Sequence, residues 1–305
     1  MKTFEDICYM TQSEVKDYMQ QYLISKQYKV INEDGFLYAK GTVPVLLVAH
    51  MDTVHKEQCK SIMESGGMIT SSQGIGGDDR CGIFIIANIV KDIKCSVLLC
   101  EDEECGGIGA RKFTKTNYIT NLDVNYMIEF DRKGKDDAVF YSCDNKDFTK
   151  FVTDGTGYKE ATGSFSDISL LMPASKLCGV NLSCGYYSPH TIQEYVRYSE
   201  MMDTIDAAKN LINTKCEKPY EYVARVIQND YFKRFNYGTT KKTKKSMSDI
   251  IKGDTLLELE VIAISNKFEE EVLYGSGTTK AECWLDVFTE NPWLNIDSVI
   301  DYSIY

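Results

Sequence analysis

The 305-residue sequence lacks an excess of basic residues: 45 Asp and Glu against 34 Lys and Arg give a formal net charge of −11. Such an acidic chain is a poor general partner for nucleic acid, because binding to phosphates needs a basic surface. Long hydrophobic runs are missing as well. No stretch approaches the length of a membrane span, and the segment MKTFEDICYMTQSEV has no apolar core of the secretory-signal type. We therefore expect a cytoplasmic protein with no nucleic-acid or membrane partner.

Cysteine is plentiful, but the spacing that marks a disulfide framework is missing. The chain has 11 cysteines, an odd number, and none of them stands in a Cys-x-x-Cys pair. This pattern favours reduced thiols in a cytoplasmic protein. Cys81, Cys105 and Cys184 fall within the acidic and histidine motifs described next, so a thiolate metal ligand at these positions stays an alternative.

Histidine is scarce, with three residues in the chain, and two of them occur in a distinctive order with carboxylates. The order is His50, Asp78, Glu104, Asp131 and His190. Each lies where an apolar run gives way to a loop, in the segments VPVLLVAHMD, GIGGDDRCG, SVLLCEDEECGG, NYMIEFD and VNLSCGYYSPH. The ends of buried strands are where an α/β sheet builds its active site, and these residue types bind zinc.

Taken together, these segments resemble the catalytic core of the co-catalytic zinc peptidases, namely the M28 aminopeptidases and the related M20 and M42 families, over roughly residues 40–210. The resemblance implies two divalent metal ions, zinc first, with cobalt or manganese as alternatives. It implies that His50 and Asp131 bind one ion, that Glu104 and His190 bind the other, and that Asp78 bridges the two. It also implies a cis peptide bond after Asp78.

The chemistry of a two-metal centre agrees with these residue types. Two divalent ions about 3.5–4 Å apart need an anionic bridge, which the two oxygens of Asp78 can supply. Asp52 lies two residues after His50, on the same side of an extended strand, where it can accept the second ring N–H. Glu103 precedes Glu104, so its side chain points differently and remains free to take a proton from the attacking water. We therefore expect Glu103 to act as general base and Asp52 to hold His50.

The rest of the chain alternates apolar strand-like runs with helical segments. We expect an amphipathic helix capped by Ser13, a hairpin around Glu33–Gly35, and a last long helix over Glu194–Asn213. Buried strands are expected at VPVLLVA, SVLLC and YMIEF. Continuous apolar strands that alternate with helices indicate a three-layer α/β fold, in which helices cover both faces of a mostly parallel central sheet.

The spacing of the motifs also bears on domain organisation. Only 58 residues separate Asp131 from His190, too few for the lid or dimerisation domain that M20 enzymes insert there. The predicted architecture is thus closer to the single-domain M28 type, although HMDTV and GGDDRCG resemble M20 motifs. We predict a di-zinc peptidase catalytic domain over residues 1–215 without an inserted lid, and a small β-rich C-terminal appendage of unknown role over 216–305. Its basic run KKTKK is interpreted as a loop, and so is the segment around His55.

These observations predict a zinc-dependent metallopeptidase, an aminopeptidase or a di- or tripeptidase, that acts on peptides or small amides. A deacylase of N-acyl amino acids would use the same machinery and stays an alternative, as does a non-catalytic metal-binding scaffold. A glutaminyl-cyclase-like enzyme with one zinc is less favoured, because His50 and Asp131 would then serve no metal. A carboxylate-rich site, with Asp52, Glu101 and Asp102 near the metals, favours substrates with a free N-terminal ammonium. The oligomeric state is not readable from the sequence.

Overall fold

The computed structural model describes residues 1–225 and the backbone of three later strands, residues 257–264, 270–277 and 299–304. It divides the chain into two compact units, Met1–Arg225 and Val226–Tyr305. The run KKTKK lies outside the described residues. The first unit extends past residue 215, because Glu221 and Ala224 form isolated β-bridges with Leu177 and Cys143. The predicted catalytic domain without a lid stays a prediction.

Within residues 1–225 the chain alternates helices with strands. The helices are α1 (Phe4–Cys8), α2 (Gln12–Ser25), α3 (Gly77–Ile89), α4 (Ile108–Phe113), α5 (Asn117–Thr120), α6 (Lys146–Thr156), α7 (Asp167–Ser175) and α8 (Tyr198–Asn213). The strands are β1 (Val30–Glu33), β2 (Phe36–Ala39), β3 (Val43–His50), β4 (Met63–Ser65), β5 (Met68–Thr70), β6 (Cys95–Cys100), β7 (Tyr126–Arg132), β8 (Asp137–Val139), β9 (Lys159–Ala161), β10 (Gly179–Ser183), β11 (Tyr186–Tyr187) and β12 (Tyr195–Arg197).

Eight strands form one mixed sheet in the order β1-β2-β6-β3-β7-β10-β8-β9. The central strands β6, β3, β7 and β10 run parallel to one another. Every residue of β6 is buried, and so is the second half of β3, as expected of strands covered on both faces. The antiparallel pairing of β1 with β2 confirms the predicted hairpin.

Helices cover both faces of this sheet. Helix α3 packs on β3 and β7 and in turn contacts α1 and α8, whereas α7 packs on β3, β7 and β10 and contacts α4 and α5. The apolar residues of α3 are nearly all buried, which matches its position between the sheet and other helices. The predicted three-layer α/β class is confirmed.

The parallel register brings the ends of the central strands to one edge of the sheet. His50 at the end of β3 lies beside Cys100 at the end of β6, and Glu129 of β7 lies beside Asn181 of β10. Because these strands share a direction, the loops that follow them leave from the same edge. Three of the predicted ligands, His50, Glu104 and Asp131, are carried by these strands or come shortly after them.

A second, four-stranded sheet in the order β11-β12-β5-β4 was not predicted. Its strands have only two or three residues each, too few for an alternating pattern to be seen. The predicted start of the last helix at Glu194 was wrong. The helix begins at Tyr198, because Tyr195–Arg197 pair with Met68–Thr70 as strands.

The N-cap of α2 is Thr11, so the prediction of Ser13 was wrong. The Thr11 hydroxyl accepts the N–H of Glu14, while the Glu14 carboxylate accepts the N–H of Thr11. This reciprocal pair satisfies two backbone N–H groups that have no partner within the helix. Ser13 lies inside the helix and is exposed.

Thr11→Ala should therefore lower the free energy of unfolding by about 1 kcal/mol, the usual effect of losing an N-cap. Urea denaturation of the two variants Thr11→Ala and Ser13→Ala measures the difference. Ser13→Ala is the matched control and should not lower the midpoint, because alanine favours a helix interior more than serine does. An equal loss in both variants would contradict the assignment of the cap.

In the second unit, β13 (Leu257–Ile264), β14 (Glu270–Gly277) and β15 (Val299–Ile304) form an antiparallel sheet in the order β14-β13-β15. The predicted β-rich C-terminal appendage is confirmed to this extent. Among the helices of the described residues, none has the length and apolarity that a membrane crossing requires.

Candidate metal centre

The five residues that the sequence places in order converge at one edge of the main sheet. His50 ends β3 and Asp131 lies near the end of β7. Asp78 lies at the start of α3, Glu104 follows β6, and His190 lies in the loop between β11 and β12. Five separate segments of the chain thus contribute one side chain each.

Asp78 lies between the two histidines. His50 Nε2 is 3.0 Å from Asp78 Oδ1 and 3.6 Å from Asp131 Oδ1. His190 Nε2 is 3.2 Å from Asp78 Oδ2 and 3.2 Å from Glu104 Oε1. Each oxygen of Asp78 therefore faces a different imidazole, and each imidazole faces one further carboxylate.

The pKa values of this cluster are shifted because many carboxylates lie close together. Burial lowers the pKa of His50, but hydrogen bonds to Asp131, Asp52 and Asp78 outweigh burial and raise it well above its ordinary value. Burial and the charge of Asp78 raise the pKa of Asp131 to about 7. The Asp78 and Glu104 carboxylates raise the pKa of His190 to about 10. The cluster attracts positive charge, which bound cations would also supply.

The donor set fits divalent transition metals. It offers two imidazoles and three carboxylates, the ligand types of zinc, cobalt and manganese sites in proteins. Three candidate ligand groups lie here: Asp78, Glu104 and His190; His50, Asp79 and Asp131; and His50, Glu103 and Glu104. Glu104 Oε1 is buried and accepts no well-formed hydrogen bond, although His190 Nε2 lies close by. A ligand atom without a hydrogen-bond donor suits a site built for a cation.

Asp52 joins two parts of the centre. Its Oδ1 lies 3.0 Å from Nδ1 of His50, the ring nitrogen that faces away from Asp78. The same carboxylate accepts the backbone N–H groups of Glu103 and Glu104, at 3.0 and 3.1 Å. One side chain therefore orients His50 and holds the Glu103–Glu104 loop beside it.

Glu103 lies at the margin of the centre. The side chain is buried, and one of its oxygens lies within 4.8 Å of ligand atoms of His50 and Glu104. Burial raises the pKa of Glu103 well above its usual range.

Asp79 also has an oxygen near His50 and Asp131. Both of its oxygens are occupied by backbone donors, because Oδ2 accepts the N–H of His50 and Oδ1 that of Gly82. Asp79 therefore fixes the start of α3 against the end of β3, and Asp78 is the member of the pair with oxygens directed at the imidazoles. The Asp78–Asp79 peptide bond is cis, as the resemblance implies.

Glu101 and Asp102 do not lie at the centre, contrary to the expectation from the EDEE run. Glu101 Oε2 accepts Lys16 Nζ at 2.7 Å and the N–H of Gly35 at 2.8 Å. Gln12 donates to Asp102 Oδ1 at 3.0 Å and accepts its N–H. Side chains of helix α2 thus bind two of the four neighbouring carboxylates, Glu101 and Asp102. Only Glu103 and Glu104 turn towards the histidines.

Further polar residues near Asp131 were not predicted from the sequence. Ser166 Oγ lies 3.0 Å from Asp131 Oδ2 and also contacts Glu129, and the Tyr186 hydroxyl lies 3.3 Å from Asp131 Oδ1. Glu129 and Asp167 are fully buried. Glu129 could have been found from NYMIEFD, because residues two apart on a strand share a face. Ser166 and Tyr186 carry no such signal, since their contacts are long-range.

His55 does lie in a loop, as expected, but its side chain is largely buried against Glu194. The three cysteines of the motifs do not join the centre: among the described residues, no candidate ligand group includes a cysteine. Cys81 and Cys184 are buried, and Cys105 is exposed. The thiolate alternative therefore has no support in the geometry.

The comparisons with known proteins concern the fold. No protein-family model and no curated protein matches the chain. The chain is similar to the aminopeptidase PepT from Bacillus cereus, with a TM-score of 0.57 and 14% identity over 68% of this chain and 96% of that chain. A tripeptidase from Staphylococcus aureus has a TM-score of 0.56 and 14% identity over 69% and 96%. The chain thus shares its fold with these two peptidases.

The same fold also carries a different reaction. A glutaminyl cyclase from Porphyromonas gingivalis is similar to the chain with a TM-score of 0.51 and 12% identity, over 68% of this chain and 93% of that chain. Similarity at this level of identity concerns the backbone alone. The chemistry of this protein therefore depends on its own side chains.

Proposed function

We propose that the protein is a metal-dependent peptidase with two divalent ions, zinc or in its place cobalt or manganese. The observation that carries the proposal is the position of Asp78, whose two oxygens face two different histidines at 3.0 and 3.2 Å. A carboxylate so placed suits a bridge between two cations. His50 with Asp131 would hold one ion, and His190 with Glu104 the other.

Bound at this place, the two ions would polarise the scissile carbonyl and lower the pKa of the attacking water. Glu103 accepts the proton of that water and returns it to the leaving amine. Asp52 keeps the His50 ring in one tautomer and orientation, because Nδ1–H donates to its carboxylate. The same Asp52 accepts the backbone N–H of Glu103, so the proposed base Glu103 and the proposed ligand His50 keep fixed positions relative to each other.

The substrate we propose is a peptide with a free N-terminus, so that the enzyme is an aminopeptidase or a di- or tripeptidase. Glu101 and Asp102 no longer support this preference, which rests instead on Asp52 and the carboxylates of the ligand cluster. A centre with this excess of acidic groups stabilises an ammonium and gains nothing from an acyl cap. A deacylase of N-acyl amino acids is the alternative with the same machinery.

A cavity of about 330 Å³ borders the centre at Asp52 and Thr53. Its other walls come from the start of α2 at Gln12, from His55 and from Gly76. The cavity lies beside the centre, because Asp52 lines it and none of the five proposed ligands does. The ten cysteines of the described residues are free thiols, which suits the cytoplasmic location that we propose.

The test compares leucine or alanine p-nitroanilide and several tripeptides with their N-acetyl forms, each with zinc, cobalt and manganese. We expect the free amines to be cleaved faster, and metal-free protein to be inactive until an ion is returned. A Glu103→Gln preparation, purified in parallel, controls for contaminating peptidases. Faster cleavage of the acetylated forms would favour the deacylase.

Two further outcomes would contradict the proposal. Cyclisation of an N-terminal glutaminyl peptide together with a single bound zinc would indicate the cyclase reaction. Absence of any turnover with two ions bound would indicate a metal-binding scaffold.

A further inference from the structure

A buried pair of side chains, His55 and Glu194, lies beside the ligand cluster and is not part of it. His55 Nε2 lies 2.8 Å from Glu194 Oε2. The Glu194 side chain is fully buried, and that of His55 is 9% exposed. A carboxylate removed from water in this way needs partners for both oxygens.

The partners of Glu194 are the backbone amides around Asp78. Oε2 accepts the N–H of Gly76 at 2.9 Å, and Oε1 accepts the N–H of Asp78 itself at 2.9 Å. The turn that presents Asp78 is therefore fastened at two points to one side chain. No other side-chain group of the described residues accepts these two amides.

Glycines let the turn wrap closely around the pair. A Cβ at Gly74, where φ is +89°, would lie 2.2 Å from Cε1 of His55. A Cβ at Gly77 would lie 2.7 Å from a methyl carbon of Val196 and 3.3 Å from Oε1 of Glu194. Side chains at either position would push the turn away from the carboxylate.

The pair also joins the loops of three proposed ligands. His55 belongs to the loop that follows His50, and Glu194 follows His190, where its N–H donates to the carbonyl of Thr191 at 3.1 Å. With Asp78 held by Glu194, the loops after β3, before α3 and before β12 meet at a single carboxylate. A shift of this carboxylate would move Asp78 relative to both histidines.

We propose that Glu194, held by His55, is a positioning residue that sets the orientation of Asp78 between His50 and His190. This inference rests on the proposed two-metal function. A carboxylate is needed here because it accepts three donors with two oxygens. Glutamine at position 194 would direct an NH₂ group at one of these donors, and at least one amide of the turn would lose its acceptor.

The test measures zinc affinity by competition with a chromophoric chelator, which requires no turnover. Glu194→Gln should bind zinc about 10–100-fold more weakly than wild type, the usual effect of losing a partner that orients a ligand. Glu200→Gln is the matched control, because the Glu200 carboxylate accepts the hydroxyl of Tyr187 and no amide of the turn. It should bind zinc as wild type does.

Two substitutions of the partner decide the point if Glu194→Gln does not fold. His55→Phe removes the donor and should weaken zinc binding, whereas His55→Gln keeps an N–H donor and should restore part of the affinity. Amide hydrogen exchange on the metal-free protein gives a second readout. The amides of Gly76 and Asp78 should exchange faster in Glu194→Gln and not in Glu200→Gln.

The results separate this inference from the proposed function. If wild type binds two zinc ions and Glu194→Gln binds them equally well, the inference is wrong and the proposed function stands. An equal loss of affinity in Glu200→Gln, or equal binding by His55→Phe and His55→Gln, would also overturn it. If wild type binds none of zinc, cobalt and manganese, the proposed function fails, and the positioning role falls with it.

Discussion

Glu103→Gln should keep the fold and both metal ions and lose about 10²–10⁴ of the turnover, the usual contribution of a positioned general base. The amide is close in size to the carboxylate but cannot accept a proton from the attacking water. Its backbone N–H would still donate to Asp52, so the loop should remain in place. Steady-state kinetics on a p-nitroanilide, together with the zinc content of the same preparation, measures the effect.

Glu104→Gln is the matched control for this result. It changes the neighbouring residue by the same chemistry, yet Glu104 Oε1 faces His190 and belongs to a candidate ligand group. This variant should lose zinc, and activity should fall as a consequence. If both variants kept their zinc, or both lost it, the separation of base and ligand between these two residues would be wrong.

Asp78→Asn should have the largest effect on metal binding, because a neutral amide cannot offset the repulsion between two divalent ions. We expect the variant to hold at most about one ion under conditions that saturate wild type. Peptidase activity should fall below that of Glu103→Gln, since both ions take part in the proposed chemistry. Elemental analysis after dialysis against zinc at a concentration that saturates wild type gives the stoichiometry.

Asp79→Asn distinguishes the two neighbouring aspartates. Asp79 accepts the amides of His50 and Gly82, so its substitution should lower the free energy of unfolding by about 1–3 kcal/mol through a lost acceptor. Its zinc stoichiometry should stay that of wild type. If Asp79→Asn lost zinc while Asp78→Asn kept all of it, the assignment of the bridge to Asp78 would be wrong.

Much of the fold could be predicted from the sequence, because local patterns determine it. The runs VPVLLVA, SVLLC and YMIEF are almost entirely apolar, as is typical of strands buried on both faces. The hairpin at Glu33–Gly35 follows from its turn residues. The second sheet could not be predicted, because its strands are too short to show a period and pair only through contacts distant in the chain.

The order of His50, Asp78, Glu104, Asp131 and His190 is a property of the sequence. The geometry between them is not. Parallel register brings the ends of β3, β6 and β7 to one edge, and this register depends on the packing of whole strands. The relation of His50 to Asp52 was predictable in advance, since residues two apart on a strand share a side.

The sequence by itself determined the α/β class, the order of the candidate ligands and the local pairing of His50 with Asp52, because periodicity and neighbour spacing act over a few residues. Only the tertiary structure decided which carboxylates face the histidines. Glu101 binds Lys16, and Asp79 accepts backbone amides. The two oxygens of Asp78 face the two imidazoles. The pairing of His55 with Glu194 spans 139 positions in the chain. Contacts between residues so far apart in the chain form because the loops meet at the sheet edge. A carboxylate buried there needs hydrogen-bond donors, and these come from whichever segments the fold brings next to it.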